Sequence, residues 1–166
     1  DYRNGPTPRV YGARVSQGLL SLDGTGQALC SQASDQKNPA VAWGHTNWLA
    51  VWEDGRVGVN DADIYATRIT PSGSVLDGAG LALCTETDMQ TRPAVAWGHT
   101  NWLAAWSDLR NGTDLNIFGN RITTAGATLD DQGFVICNET TDQDNLALSW
   151  NQTNWFAVWR DMRDAE

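Results

Sequence analysis

The 166-residue sequence predicts an all-β repeat fold, and three observations carry that expectation. First, one stretch occurs three times: Pro39-Ala-Val-Ala-Trp-Gly-His-Thr-Asn-Trp-Leu-Ala-Val-Trp-Glu-Asp54, a near-identical copy from Pro93 to Asp108, and a looser one from Leu146 to Asp161. All nine tryptophans lie in these copies: Trp43, Trp48, Trp52; Trp97, Trp102, Trp106; Trp150, Trp155, Trp159. Second, each repeat divides into short apolar runs separated by turn residues, and no segment has helical period. Third, the first two runs are apolar on both faces, as in a sheet covered on both sides.

The period is regular. Cys30, Cys84 and Cys137 recur 54 and then 53 residues apart, as do Arg14, Arg68 and Arg121. A further marker is Asp-x-Arg, at Asp1/Arg3, Asp54/Arg56, Asp108/Arg110 and Asp161/Arg163. From Asp1 to Asp161 is therefore three full repeats, so the chain starts and stops at one phase of its own repeat.

The first complete repeat reads as four strands. Ala40–Trp43 is a wholly apolar run ended by the turn Gly44-His45-Thr46-Asn47. Trp48–Trp52 is the second strand, with Trp48, Ala50 and Trp52 on one face and Leu49 and Val51 on the other. After a polar loop, Asp63–Thr70 is the third strand, stopped by Pro71-Ser72-Gly73-Ser74, a hairpin signal. Val75–Cys84 is the fourth, interrupted by Asp77-Gly78-Ala79-Gly80, where a bulge or bend is expected.

Burial thus falls from the first strand to the fourth. Four-stranded blades arranged radially, with strand one innermost, give that gradient, so the expected architecture is a β-propeller. A β-trefoil also has three repeats of four strands, but its strands have one core-facing side and its small core would not take three tryptophans per repeat. The predicted division is a half-blade at 1–30, blades at 39–84 and 93–137, and a half-blade at 146–161.

The pattern Pro-Ala-Val-Ala-Trp-Gly-x-Thr-Asn-Trp-Leu-Ala-Val-Trp-x-Asp-x-Arg, followed by Asp-Ile-Tyr-Ala-x-Arg-Ile, resembles the repeats of large secreted bacterial proteins expected to form β-propellers. The resemblance spans the chain and implies the same fold. It implies no particular activity. It is weakest in the third copy, where Asn151-Gln152 replaces Gly-His.

Three blades are too few to close a ring, for which about four are needed. The two half-blades are complementary, so a homodimer closing a six-bladed ring is expected, or a segment of a larger propeller.

The formal charge of −9 disfavours nucleic acid and anionic lipid, and no apolar run is long enough to insert in a membrane. No signal segment precedes Asp1, so the chain reads as a mature product or a piece of something longer. A secreted or surface setting suits the acidity. The cysteines read as small buried hydrophobes; a metal-binding thiolate cluster and an intermolecular disulfide are the alternatives.

Of the residues that could carry chemistry, Asp54, Arg56, Asp108, Arg110 and Asp161 read as a repeated structural ion pair, or as a ring gripping a ligand. Trp48, Trp102 and Trp155, beside the turn, are the tryptophans expected to be partly exposed and able to stack on a sugar. Asn60-Asp61-Ala62-Asp63 offers oxygens at alternating positions that suit calcium through Asp61 and Asp63, without the full calcium-loop pattern. The loops bearing Asp54, Asp61, Asp63, Asp108, Asp114, Glu86, Asp88, Glu139, Asp142 and Asp144 are expected to form one acidic face. His45 and His99 read as turn residues, and the sequons at Asn111, Asn138 and Asn151 matter only in a glycosylating host. No cofactor is required. The expected function is non-catalytic: a propeller module binding a protein or glycan partner, with a lectin or a glycosidase as alternatives.

Overall fold

A computed structural model describes residues 7–58 and 60–163. The chain is all-β: β1 (Tyr11–Gly12), β2 (Gln27–Ala28), β3 (Gln36–Gly44), β4 (Asn47–Gly58), β5 (Asp61–Ile69), β6 (Leu81–Cys84), β7 (Gln90–Gly98), β8 (Asn101–Asp108), β9 (Asn116–Thr123), β10 (Phe134–Cys137), β11 (Gln143–Trp150) and β12 (Trp155–Asp161). β3–β6 and β7–β10 are four-stranded antiparallel sheets with strands in chain order; β1–β2 and β11–β12 are two-stranded. Among the described residues all pairing stays within a repeat, so the barrel a trefoil needs does not form.

The turns explain the hairpins. His45 and His99 take left-handed backbone (φ 65° and 58°), which closes the β3–β4 and β7–β8 turns. At Pro71-Ser72-Gly73-Ser74, Gly73 at φ 92° supplies the conformation a side chain resists, and Thr70 and Ser74 close the loop. The fourth strand is shorter than the expected Val75–Cys84. Only Leu81–Cys84 pairs continuously, and Val75 meets Ile69 in one isolated bridge, because the Asp77–Gly80 loop lifts the chain off the sheet. The N-terminal runs Val10–Val15 and Leu19–Cys30 shrink further, to the two-residue β1 and β2, since among the described residues no second strand pairs with the other edge of β1.

The sheets pack face to face. Leu49, Val51, Ile64, Ala66 and Leu83 of one meet Trp102, Ala104 and Trp106 of the next. The β1–β2 segment repeats the arrangement, with Val10, Leu29 and Cys30 against Ala50 and Trp52. The first strands are neighbours in series, β3 against β7 and β7 against β11. The expected fall in burial from the first strand to the fourth is not found: the second strands β4 and β8 are the most buried, because they lie between two paired strands and under the next sheet, whereas Val41 and Trp43 of β3 are exposed.

Each first strand carries a bulge at the same place. Pairing shifts register between Lys37 and Ala40, between Thr91 and Ala94, and between Asp144 and Ala147. Asn38, Arg92 and Asn145 sit in these bulges with left-handed φ of 49°, 52° and 54°. Asparagine tolerates that region; Arg92 is held there by contacts described below.

Candidate functional site

The Asp-x-Arg motif is a buried clamp. Asp54 lies fully buried at the end of β4 and accepts from Trp52 Nε1 (2.9 Å), Ser34 Oγ (2.7 Å), Arg56 N (3.1 Å) and the Arg56 guanidinium (2.7 and 3.0 Å). Burial alone would raise the Asp54 carboxyl, but the hydrogen bonds from Arg56, Trp52 and Ser34 outweigh it and hold the group below the usual carboxylate range. Arg56 then lies over the Tyr65 ring at 3.5 Å. Asp108 repeats this with Trp106 (2.7 Å) and Arg110 (2.6 Å), and Arg110 covers Phe118 at 3.9 Å. Asp161 repeats it with Trp159 (3.2 Å) and Arg163 (2.6 Å). In each clamp the aspartate is held by its own arginine and tryptophan, which is the arrangement of a repeated structural ion pair. The Asp1/Arg3 copy lies outside the described residues.

A second ion pair recurs on the outer strands: Arg14–Asp23, Arg68–Asp77 and Arg121–Asp130, at 2.6 to 2.8 Å. Hydrogen bonds from Arg14 hold the Asp23 carboxyl down to about 2. Arg14 also donates to the Pro71 carbonyl (3.3 Å) and Arg68 to the Thr124 carbonyl (3.1 Å), so each guanidinium bridges to the hairpin of the following repeat. Among the described residues Arg121 has no such hairpin to reach.

The cysteines are free, with Cys30 and Cys84 buried and Cys137 half-buried. Burial pushes the Cys84 thiol up to about 12, and Arg110 lies 3.1 Å from its sulfur. It is thus neither a thiolate nucleophile nor a ready metal ligand.

The tryptophan expectation needs correction. Trp102 is fully buried, because its ring lies across the backbone of Gly44 and edge-on to Trp97 at 5.0 Å. A sugar cannot stack on it. Trp155 lies in the same way across Gly98 and is half-buried, like Trp48. The most exposed indole is Trp43, on β3, which the turn-proximity argument overlooked.

The acidic face is also less acidic than the loops suggest, because Asp54, Asp63, Asp108 and Asp144 turn inward and are buried. Asp61 and Asp63 do come together, each with a buried oxygen that lacks a hydrogen-bond partner. Among the described residues no group of three or more His, Cys, Asp or Glu side chains converges on a point that could hold a metal. Burial, then the charges of Asp61 and Asp54, push the Asp63 carboxyl up to about 6. This sets a pH dependence. A raised folded-state pKa favours the protonated form, so stability is fullest below the unfolded value near 4 and falls as pH rises through about 6. Asn116 occupies the equivalent position of the next repeat and is equally buried. Asp63→Asn should therefore remove the loss, raising stability at pH 7 by about 2 kcal/mol or less. Melting temperatures from pH 4 to 8 for both proteins would test this; parallel curves would refute it.

Sequence reasoning missed a polar network where β3, β7 and β11 meet. The buried Glu53 carboxylate accepts from Asn38 Nδ2 (2.7 Å), from the Thr91 hydroxyl and from the Arg92 backbone N–H (2.5 Å). These contacts fix the left-handed Arg92. The buried Asp144 carboxylate accepts from Arg92 (2.7 Å) and Arg160 (2.6 Å). Beside them a polar cleft of about 370 Å³ opens between Asn38, Pro39, Arg92, Pro93, Asn145 and Leu146. A signal existed in the repeat: Glu53, Ser107 and Arg160 occupy one position in the three copies, and Lys37, Thr91 and Asp144 another. Near-identical repeats that differ in charge at two facing positions mark a place where the units are not interchangeable.

An apolar groove of about 620 Å³ lies between β1 and a face of β3–β4, lined by Tyr11, Val15, Leu29, Val41, Trp48 and Ala50 among others. Val41 stands exposed in it and Trp43 is exposed two residues further along β3, whereas Val95 and Trp97 at the equivalent positions of β7 are half-buried.

No protein-family model matches the chain, and no curated protein matches it. The fold is similar to a solved structure of alpha-L-arabinofuranosidase from Lactobacillus brevis, with a TM-score of 0.56 at 10% identity. The likeness covers 97% of this chain and 58% of that one, so this chain spans a little over half of its length. At this identity the likeness concerns the fold alone.

Proposed function

We propose that the chain is a β-propeller module with a non-catalytic role in protein interaction or assembly, in a secreted or cell-surface setting that suits its acidity. The repeats act as blades, and the strand-one bulges of β3, β7 and β11 surround the axis. One observation carries the reading: apolar faces that are buried inside the repeat array are left open at both of its ends. Phe156 is 69% exposed, while Leu49 and Leu103 at the equivalent positions are 0% and 5% exposed. Open faces of this kind mark association surfaces. Light scattering coupled to size exclusion, at micromolar concentration, should give a mass above the 18.1 kDa of one chain. A monomer would overturn the assembly reading.

The similarity to an arabinofuranosidase favours glycosidase-type hydrolysis as a second reading. Such chemistry needs one carboxyl as acid and another as nucleophile or base. Glu53 and Asp144 are the carboxylates beside the axial cleft, and both are occupied: one by three donors, the other by two guanidiniums. A panel of aryl glycosides, arabinofuranosides included, should show no turnover. Turnover abolished by Glu53→Gln would establish the enzyme instead. The lectin alternative has less support, since most of the tryptophan surface is packed within or between sheets.

A further inference from the structure

We infer that the groove beside β1 seats the β11–β12 hairpin of a second copy of this chain, so that two copies complete each other's sheets. This rests on the assembly reading and names its partner. The groove is the place where the first two strands of a sheet are missing. The hairpin β11–β12 is a first and second strand without a third and fourth.

The match extends to register. In the complete sheets Trp48 lies opposite Ile69, Ala50 opposite Thr67 and Trp52 opposite Tyr65; Trp102, Ala104 and Trp106 lie opposite Ile122, Asn120 and Phe118. The repeat spacing carries these pairs to Trp155 opposite Val15, Ala157 opposite Ala13 and Trp159 opposite Tyr11 of the second copy. Burial agrees. Val15 is 65% exposed, whereas its equivalents Ile69 and Ile122 are 7% and 0% exposed. Ala13 is exposed, and its equivalents Thr67 and Asn120 are buried. Once β12 is seated, its exposed Phe156 and Val158 fall against the exposed Val41 and Trp43 of the second copy, as Leu49 and Val51 fall against the second sheet. Arg163 falls over Tyr11 as Arg56 covers Tyr65. Each copy gives one hairpin and receives one, a closed two-fold arrangement in which the free edges of β1 and β12 pair with each other.

Two positions distinguish this seam from the internal junctions. Asn151 stands where Gly44 and Gly98 admit a tryptophan ring against the backbone. Leu19, at left-handed φ of 61°, stands where Gly73 and Gly126 admit an arginine from the preceding repeat. The seam is therefore looser than the junctions within a chain, and its affinity can be raised. Asn151→Gly should lower the dissociation constant about tenfold by removing the Cβ that meets Trp48 of the second copy.

The decisive test mixes two variants that each carry one introduced cysteine, Ala13→Cys and Ala157→Cys, under mild oxidation, in a chain whose half-buried Cys137 is replaced by serine while the buried Cys30 and Cys84 are kept. Non-reducing electrophoresis should show a covalent dimer of the mixture and not of either variant alone. A mixture of Ala13→Cys with Phe156→Cys, one residue out of register, should give little. A dimer by light scattering that does not cross-link would overturn this seat while leaving the assembly reading intact. A monomer by light scattering would overturn both, and the groove would then belong to neighbouring repeats of a longer polypeptide. An unchanged dissociation constant for Asn151→Gly would also count against the proposed register.

Discussion

Replacing Asp108 by alanine should cost about 3–5 kcal/mol of stability, the range for removing one partner of a buried ion pair. The carboxylate is fully buried and accepts from the Trp106 indole, the Arg110 backbone and the Arg110 guanidinium. Without it, the indole N–H is stranded in the core. The guanidinium keeps only the Gln132 carbonyl, the Cys84 sulfur and the Phe118 ring, none of which carries a full negative charge. In a chain of this length the loss corresponds to a fall in melting temperature of about 10 °C. Asp108→Asn preserves shape and one acceptor, so it should fall between alanine and wild type. Asp161→Ala supplies the comparison within the same motif. The Asp161 side chain is 18% exposed and Arg163 is 47% exposed, so water can replace the lost contacts and the effect should be smaller. Urea midpoints of the three variants decide the matter. Equal losses for Asp108→Ala and Asp161→Ala would mean that burial does not set the strength of the clamp.

That clamp shows how the sequence could be read and where it could not. Asp-x-Arg was visible as a repeated pair because both residues return at each period. The tryptophan two residues before each aspartate, which donates to it, was visible only as a core residue. The period also announced four strands per repeat, and the pairing within β3–β6 and β7–β10 follows that order. Burial of individual tryptophans was less legible. Proximity to a turn suggested exposure for Trp102, but exposure depends on the neighbouring sheet, and Gly44 of the preceding repeat supplies the surface that covers it. The Glu53, Arg92, Asp144 and Arg160 network was hidden for a related reason. Its members lie far apart in sequence and meet only because three bulged first strands adjoin. Looking for sameness between repeats found the scaffold, whereas these residues lie where the copies differ.

The interlock of glycine and tryptophan between sheets carries the other large expected effect. A Cβ on Gly44 would lie 2.2 Å from Cε2 and Cζ2 of Trp102, far inside any contact distance. The obstacle is a rigid ring without solvent on any side, wedged against Trp97 at 5.0 Å. Neither sheet can yield without separating the faces that bury Leu49, Val51 and Ala104. Gly44→Ala should therefore cost about 3 kcal/mol, the upper part of the range for overpacked cores. Gly98→Ala meets Trp155 at 2.4 Å, but that ring is only half-buried and can shift toward solvent, so its cost should be lower. Gly78→Ala, with nothing within 4 Å of the added carbon, should leave stability near wild type. Trp102→Leu combined with Gly44→Ala separates steric conflict from any conformational demand at residue 44. If the conflict is steric, the double variant loses less than the sum of the two single losses. If the losses simply add, the glycine is needed for its backbone, and contact with the tryptophan is not what joins one sheet to the next.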